Sequence, residues 1–180
     1  MRIKSVASLV IGTAVIVALA APASAQARPS TPAKSSMSSS TSDKGEVGIA
    51  YSFLHLDGVN QGGGFDAYYA RNFRQTDMGS LAFVGDFSLN HGGGFTTTFY
   101  TGGLRVNFKT KSKVKFYGQV TLGVVHDDTA FTMLFGGGAK FPVNHGKFDA
   151  YTQVDFPVAF FSNDTTSGVR WNIGVAFPIR

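Results

Sequence analysis

The sequence predicts an all-β protein, an eight-stranded antiparallel up-and-down transmembrane β-barrel. Large apolar side chains alternate with small or polar ones through most of residues 46–180, and a period of two is typical of strands whose faces meet different surroundings. Short clusters of Gly, Asn, Asp, Ser and Lys divide this region into eight runs. Each run has about 10–13 residues, long enough for a tilted strand to cross a bilayer.

The N-terminal segment has the pattern of a secretory signal peptide, which we assign to residues 1–25. Arg2 and Lys4 form a basic start and an apolar stretch follows over residues 6–21. Small residues allow cleavage after either Ala25 or Ala27. Residues 26–45 are rich in Ser, Thr and Pro, and we interpret them as a disordered spacer because they offer little to bury. The barrel is then expected over residues 46–180.

Charge and cysteine content argue against a nucleic-acid-binding protein and against a protein held by disulfides. From Gln26 onward, 14 Lys and Arg stand against 11 Asp and Glu, and this net charge of +3 is too weak to indicate a nucleic-acid partner. The chain has no cysteine, so an exported domain must be held by its fold or its surroundings rather than by disulfides.

The eight runs give eight predicted strands, at 46–56, 63–73, 80–90, 97–108, 114–125, 129–142, 147–159 and 167–179. In the first strand Val47, Ile49, Tyr51 and Phe53 alternate with small residues. Residues 136–138 are three consecutive glycines, which indicate a bend or a bulky neighbour from inside the barrel. Prolines lie near the ends of predicted strands, where a lost ladder hydrogen bond costs least: Pro142, Pro157 and Pro178.

Two barrels fit an exported chain of this pattern. A soluble, lipocalin-like barrel points its apolar face inward and carries a ligand, whereas a transmembrane barrel points that face to lipid. Small side chains with few charges on the less apolar face favour the membrane barrel. So do large aromatics toward the predicted strand ends, as in interfacial girdles: Phe53, Phe65, Phe73, Phe108, Phe116, Phe141, Phe156, Trp171 and Phe177.

The same alternation places charges in the narrow lumen, where they must be paired to be tolerated. The expected set is Asp86, Arg105, Lys115, Lys140, Asp149, Asp155 and Arg170. Hairpin register places Lys140 almost opposite Asp149 and Asp155 diagonal to Arg170. Such a network would fill an eight-stranded barrel, so we expect a small conductance or none.

The barrel region resembles the OmpA/OmpX-like family of small outer-membrane β-barrels. The resemblance is carried by VGIAYSFLHLDG (47–58), FTMLFGGGAKF (131–141) and AYTQVDF (150–156). The last strand is also similar to the family's assembly signal, filled here by Asn172, Gly174, Phe177 and Ile179. It departs from the family in ending on Ile179-Arg180 rather than on an aromatic residue. The resemblance implies insertion by the barrel-assembly machinery and contact with outer-membrane lipids and lipopolysaccharide.

The family topology implies a periplasmic N-terminus and short outer loops at 57–62, 91–96, 126–128 and 160–166. Acidic residues then lie outside, at Asp57, Asp127, Asp128 and Asp164. The inner turns at 74–79, 109–113 and 143–146 are basic, with Arg74, Lys109, Lys111, Lys113 and Lys147. Such a rim fits anionic headgroups, and solvated turn residues are the other interpretation.

We expect no catalytic site, metal or cofactor. Hydrolytic chemistry needs a nucleophile or an activated water near a histidine, and the histidines, His55, His91, His126 and His145, fall in predicted loops or strand ends. A metal at His55, His91 and Asp127 would rest on weak loop ligands. Ser162-Asn163 is similar to part of the lipid A deacylase motif, but Phe161 stands where its histidine belongs.

The sequence therefore predicts a monomeric, non-catalytic outer-membrane barrel of a Gram-negative-type envelope, with a structural or envelope-interaction role. A pore for small solutes is the first alternative. A lipid A-modifying barrel enzyme is the second, and the soluble ligand carrier is the third.

Overall fold

The computed structural model describes residues 44–57, 62–126, 130–162 and 164–179. Eight antiparallel strands pair in chain order and close into a barrel, as predicted. The strands are β1 (Gly45–Leu56), β2 (Gly63–Thr76), β3 (Gly79–Gly92), β4 (Phe95–Phe108), β5 (Lys115–His126), β6 (Ala130–Val143), β7 (Phe148–Phe160) and β8 (Thr165–Ile179). The predicted signal peptide and nearly all of the predicted spacer lie outside the described residues, as do Asp127 and Asp128.

The first and last strands close the barrel. β1 pairs with β8 from Gly45↔Ile179 to Leu56↔Gly168 without a shift in register. Because the barrel is closed, neither β1 nor β8 has a free edge that could pair with a strand of another molecule. We call the end where β1 begins the N-terminal end; it also carries the β2–β3, β4–β5 and β6–β7 connections. The opposite end is the distal end.

Two hairpins are tighter than the sequence predicted. β2 and β3 are joined by Asp77 and Met78, and β3 and β4 by Gly93 and Gly94. Gly93 and Gly94 have φ of 60° and 84°, a left-handed conformation that glycine adopts without steric cost. Polar clusters that the sequence indicated as loops, including most of residues 91–96, therefore extend the strands instead.

Glycine and proline have distinct effects on the sheet. A side chain at Gly136 would collide with the Asp155 carboxylate, and one at Gly138 with the Tyr117 hydroxyl. The predicted bulky neighbour inside the barrel is thus present. The β7–β8 register runs from Asp155↔Arg170 directly to Val158↔Ser167, so pairing is interrupted at Pro157, which has no N–H to donate.

The two faces of the strands differ as the alternation predicts. Large apolar side chains on all eight strands are exposed on the outer face, while most of the ionisable strand residues on the inner face are buried. The nine aromatics expected in girdles all point outward. Trp171, however, is the seventh of the fifteen residues of β8, so it lies in the middle of the strand and not in a terminal band. No helix among the described residues is long and apolar enough to cross a membrane.

Candidate functional site in the barrel lumen

Buried charge concentrates in the lumen around Arg170, which has no exposed side-chain surface. Its Nη1 donates to Asp86 Oδ1 at 2.9 Å, and its Nη2 donates to Asp155 Oδ2 at 2.8 Å. Asp66 Oδ2 lies 3.2 Å from Nη1, but neither oxygen of Asp66 makes a hydrogen bond. One guanidinium thus neutralises part of the charge of three carboxylates on β2, β3 and β7. We call Asp66, Asp86, Asp155 and Arg170 the central cluster.

Two glutamines connect the central cluster to its neighbours. Gln153 Nε2 donates to Asp155 Oδ2 at 2.7 Å, and its carbonyl accepts a 2.7 Å hydrogen bond from the Tyr117 hydroxyl. Gln119 Nε2 reaches Asp155 Oδ1 at 3.4 Å. Buried carboxylates are tolerated only when their lone pairs find donors, and these contacts supply donors that a single arginine lacks.

A second group lies toward the N-terminal end and is built on Glu46, the second residue of β1. Glu46 Oε1 accepts hydrogen bonds from Arg105 Nη1 at 2.7 Å, from the Tyr68 hydroxyl at 2.9 Å and from Lys140 Nζ. The Arg105 side chain is fully buried and 4% of that of Lys140 is exposed. Two cations therefore share one carboxylate. We call Glu46, Arg105 and Lys140 the basal cluster.

Aromatic rings complete the surroundings of Arg105. Its Cζ lies 4.3 Å from the centroid of the Tyr68 ring and 4.4 Å from that of Tyr117. Gln119 Oε1 accepts from Arg105 Nε at 3.0 Å and from Nη2 at 2.7 Å. A guanidinium between two ring faces gains cation–π attraction where water is excluded, so the basal cluster is held by rings as well as by its carboxylate.

One of the two predicted ion pairs, Lys140 with Asp149, is replaced in the structure by a different pair. Lys140 lies opposite Tyr151 in the β6–β7 ladder, and Asp149 lies opposite Pro142, so the expected Lys140–Asp149 pair is wrong. Lys115 of β5 donates to Asp149 Oδ2 instead, at 2.9 Å. The turn at Asn144–Gly146 sets a register two residues away from the one expected, and Lys140 extends across the lumen to Glu46.

The second predicted pair forms with a different geometry. Asp155 and Arg170 lie directly opposite each other in the β7–β8 ladder rather than diagonally. Their side chains meet at 2.8 Å. Asp86, which was expected in the lumen without a partner, is the second hydrogen-bonded ligand of Arg170.

Sequence reasoning missed Glu46, on which the basal cluster is built, and Asp66, the third carboxylate near Arg170. Both obey the parity of their strands: Glu46 has the parity of Gly48 and Ala50, and Asp66 that of Tyr68. The alternation was therefore the signal that would have found them. It was not applied to the first residue of the first strand or to the less regular second strand.

The distal half of the lumen is closed by hydrocarbon instead of charge. A buried apolar cluster fills it from five strands: Leu54, Phe99, Val125, Ala130, Leu134 and Ala159. Phe99 and Leu134 are 1% and 0% exposed. An eight-stranded barrel leaves an interior just wide enough for side chains, and here the apolar cluster, with buried polar residues such as Asn90 and Thr132 beside it, follows two charged clusters along the axis.

The remaining candidate residues are dispersed. Asn172 is buried in the lumen, whereas Phe177 and Ile179 are exposed on the outer face; Gly174 packs against Ala50 of β1. The side chains of His55, His91 and His126 are exposed at the distal end, and that of His145 is exposed in the β6–β7 turn. Within the described ranges, no group of three or more His, Asp or Glu residues could hold a metal ion. Asp127, the third ligand of the metal site considered from the sequence, lies outside those ranges.

Comparison with known proteins gives the fold and little more. No family model and no curated protein matches the chain. Solved structures do match. Neisserial surface protein A (NspA) is 15% identical with a TM-score of 0.58, over 76% of this chain and 97% of that chain. The attachment invasion locus protein Ail of Yersinia pestis is 18% identical with a TM-score of 0.52, over 74% and 98%. Both are small outer-membrane β-barrels, and this chain shares their fold.

Proposed function

We propose that this chain is an integral outer-membrane β-barrel protein of a Gram-negative-type envelope, with a structural or envelope-interaction role and no catalytic activity. One observation carries the proposal: the barrel is apolar outside and charged inside. Phe83 is 58% exposed on its outer face, whereas Arg105 and Arg170 are fully buried. In water such a surface would far exceed the few hundred Å² of contiguous apolar patch that monomers tolerate.

Strand dimensions and edge-free closure support the same proposal. The strands have 12 to 15 residues, which exceeds the roughly 9–11 needed for a tilted crossing. Trp171, although in the middle of its strand, donates its indole N–H to Thr152 Oγ1 at 2.7 Å. This contact removes the cost of an unpaired indole donor in hydrocarbon, so Trp171 suits a lipid-facing position.

The finer assignment follows the resemblance to the OmpA/OmpX-like family. It includes export by cleavage of residues 1–25, insertion by the assembly machinery through Asn172, Gly174, Phe177 and Ile179, and a monomer surrounded by lipids and lipopolysaccharide. In this arrangement the N-terminal end faces the periplasm. Five basic residues support this direction because they would meet anionic headgroups there. Arg74 lies near the end of β2, and four lie in connections at the same end: Lys109, Lys111, Lys113 and Lys147.

The test uses the single tryptophan of the chain. The mature protein is refolded into lipid vesicles, and folding is checked by heat-modifiable gel mobility. Because Trp171 is exposed on the outer face, brominated acyl chains should quench its fluorescence while aqueous iodide should not. The matched control is Trp171→Phe with Phe99→Trp, which moves the indole into the lumen, and it should resist both quenchers. A wild-type chain that folds as a monomer in buffer, with Trp171 shielded, would establish the soluble alternative.

Cellular experiments test the location and the lack of catalysis. After expression with the native N-terminus, the protein should fractionate with the outer membrane and resist extraction by alkali. Mass spectrometry of lipid A from the same cells should show no change in acylation. A loss or gain of acyl chains that depends on this protein would contradict the non-catalytic role and support the enzyme alternative.

A further inference from the structure

The N-terminal end of the lumen opens into a polar cavity of about 480 Å³, which we call the vestibule. Four of its lining residues are ionisable: Glu46, Lys109, Lys115 and Lys140. Asn107, Ser80 and Thr76 contribute amide and hydroxyl groups to the wall. The volume lies within the range of small-molecule sites, about 300–1,000 Å³, so the vestibule can hold a ligand of headgroup size.

The vestibule carries more positive than negative charge. Lys115 is neutralised by Asp149 at 2.9 Å. Glu46 is the only described carboxylate in contact with Arg105 and Lys140, which both bind its Oε1. Lys109 lines the mouth and has no described carboxylate in contact. The lining residues carry three positive charges and one negative charge. Behind the wall Arg105 adds one cation and Asp149 adds one carboxylate, so the surplus at this end of the lumen is two positive charges.

The two surplus charges differ in burial. Arg105 is fully buried and Lys140 nearly so, and these two share Glu46, whereas Lys109 is exposed at the mouth. The excess carboxylates of the central cluster lie beyond Gln119, which bridges Arg105 and Asp155. On the vestibule side, therefore, an anion would complete the neutralisation of Lys140 and Lys109. Lysine offers donors and no acceptors. A complementary ligand would therefore carry negative charge and several acceptor oxygens.

We propose that the vestibule binds a phosphate monoester dianion. Its two negative charges match the surplus of two, and its terminal oxygens can accept hydrogen bonds from the ammonium groups of Lys109 and Lys140, each of which has three N–H donors. The amide and hydroxyl hydrogens of Asn107, Ser80 and Thr76 are donated within the wall itself. A carboxylate monoanion would balance only half of the surplus. The same phosphomonoester group occurs in soluble metabolites and in the headgroup of phosphatidic acid, and either can reach a cavity open at the end of the barrel.

Titration of isotope-labelled, full-length mature barrel, followed by NMR of backbone amides, tests the proposal and its source. Inorganic phosphate and glycerol 3-phosphate are added to the protein in a zwitterionic detergent. Phosphatidic acid is compared with phosphatidylcholine in nanodiscs. Saturable shifts of vestibule amides with glycerol 3-phosphate identify a soluble ligand, and shifts confined to phosphatidic acid nanodiscs identify a lipid headgroup. No saturable shift in either series would overturn the proposal, as would equally tight binding of acetate.

Matched variants separate a built site from general attraction. Lys109→Gln with Lys115→Gln removes two positive charges from the vestibule lining. Lys111→Gln with Lys113→Gln removes two from the same β4–β5 connection but outside that lining. The first pair should weaken binding about tenfold or more, as expected for lost charge-assisted hydrogen bonds, and the second less than about twofold. Equal weakening would show surface charge only. Lys109→Gln alone disturbs no described ion pair, so it controls for misfolding of the double variant. It should show part of the loss in binding affinity.

Discussion

At the scale of single residues, Arg170 has the largest effect on the lumen. It joins β8 to β3 and β7 by hydrogen bonds and lies 3.2 Å from Asp66 of β2. Because it is fully buried with three carboxylates, its removal would leave their charges without a cation. The charges are reversed at Glu46, which is a single carboxylate in contact with two buried cations. Each cluster therefore depends on a single residue of minority charge.

We expect Arg170→Met to destabilise the barrel by about 3–5 kcal/mol, the usual cost of removing one partner of a buried ion pair. Urea unfolding in lipid vesicles, followed by the fluorescence of Trp171, measures the change. Lys111→Met is the control, since Lys111 is exposed in the β4–β5 connection and makes no ion pair described here, and it should change the free energy of unfolding by less than about 0.5 kcal/mol. Adding Asp86→Asn and Asp155→Asn to Arg170→Met should recover part of the loss. Equal stability of Arg170→Met and wild type would show that the cluster contributes nothing.

At the scale of elements, β6 shows how one strand adapts to its neighbours. Two of its three consecutive glycines, Gly136 and Gly138, leave room for side chains that project from β7 and β5 into the lumen, namely Asp155 and Tyr117. Those two side chains in turn reach Gln153 and Arg170. The absence of side chains on β6 is thus a requirement of the clusters on the strands beside it.

Glycine-to-alanine substitutions should distinguish packing from strand propensity. Gly136→Ala should destabilise the barrel by about 1–3 kcal/mol, since its new methyl group would collide with the Asp155 carboxylate. Gly85→Ala is the matched control, because no atom lies within 4 Å of a side chain added there, and it should be neutral or slightly stabilising. Unfolding in urea measures both. A Gly85 variant as damaged as the Gly136 variant would show that the glycines serve the backbone rather than the lumen.

At the scale of the whole molecule, the barrel is a closed cylinder with three layers along its axis. The basal cluster and the central cluster occupy the N-terminal and middle parts, and the apolar cluster fills the distal half. Bulky side chains, Phe99 and Leu134 among them, obstruct the distal half of the lumen. The arrangement favours a closed barrel over a pore.

Planar-bilayer recordings test the closed barrel directly. The folded wild-type protein should give no stepwise currents, because Phe99 and Leu134 obstruct the distal half of the lumen. A preparation of an open porin in the same bilayers supplies the positive control. Reproducible unitary currents would favour the small-solute pore, provided that their number increases with the number of inserted barrels.

Strand positions were predictable from the chain because alternation is local. The predicted first strand, 46–56, differs from Gly45–Leu56 by one residue, and the predicted seventh, 147–159, is shifted by one. Turn lengths were less predictable, since polar residues such as His91 and Thr96, predicted in a loop, also suit strands at a barrel rim. The candidate site was predictable only in part. Parity placed Arg105, Lys140, Arg170, Asp86 and Asp155 in the lumen, and hairpin register paired Asp155 with Arg170. Glu46 and Asp66 were missed, and Lys140 was given the wrong partner.

The sequence by itself determined which side chains face the lipid-like exterior and which face the lumen, because a period of two is a property of each strand alone. Only the tertiary structure decided which charges meet. Lys140 and Glu46 are 94 residues apart, and Arg170 and Asp86 are 84 apart. Such partners are brought together by the closure of β1 on β8 and by the register accumulated around the cylinder. An error of two residues in one hairpin keeps every side chain on its correct face and still exchanges its partner.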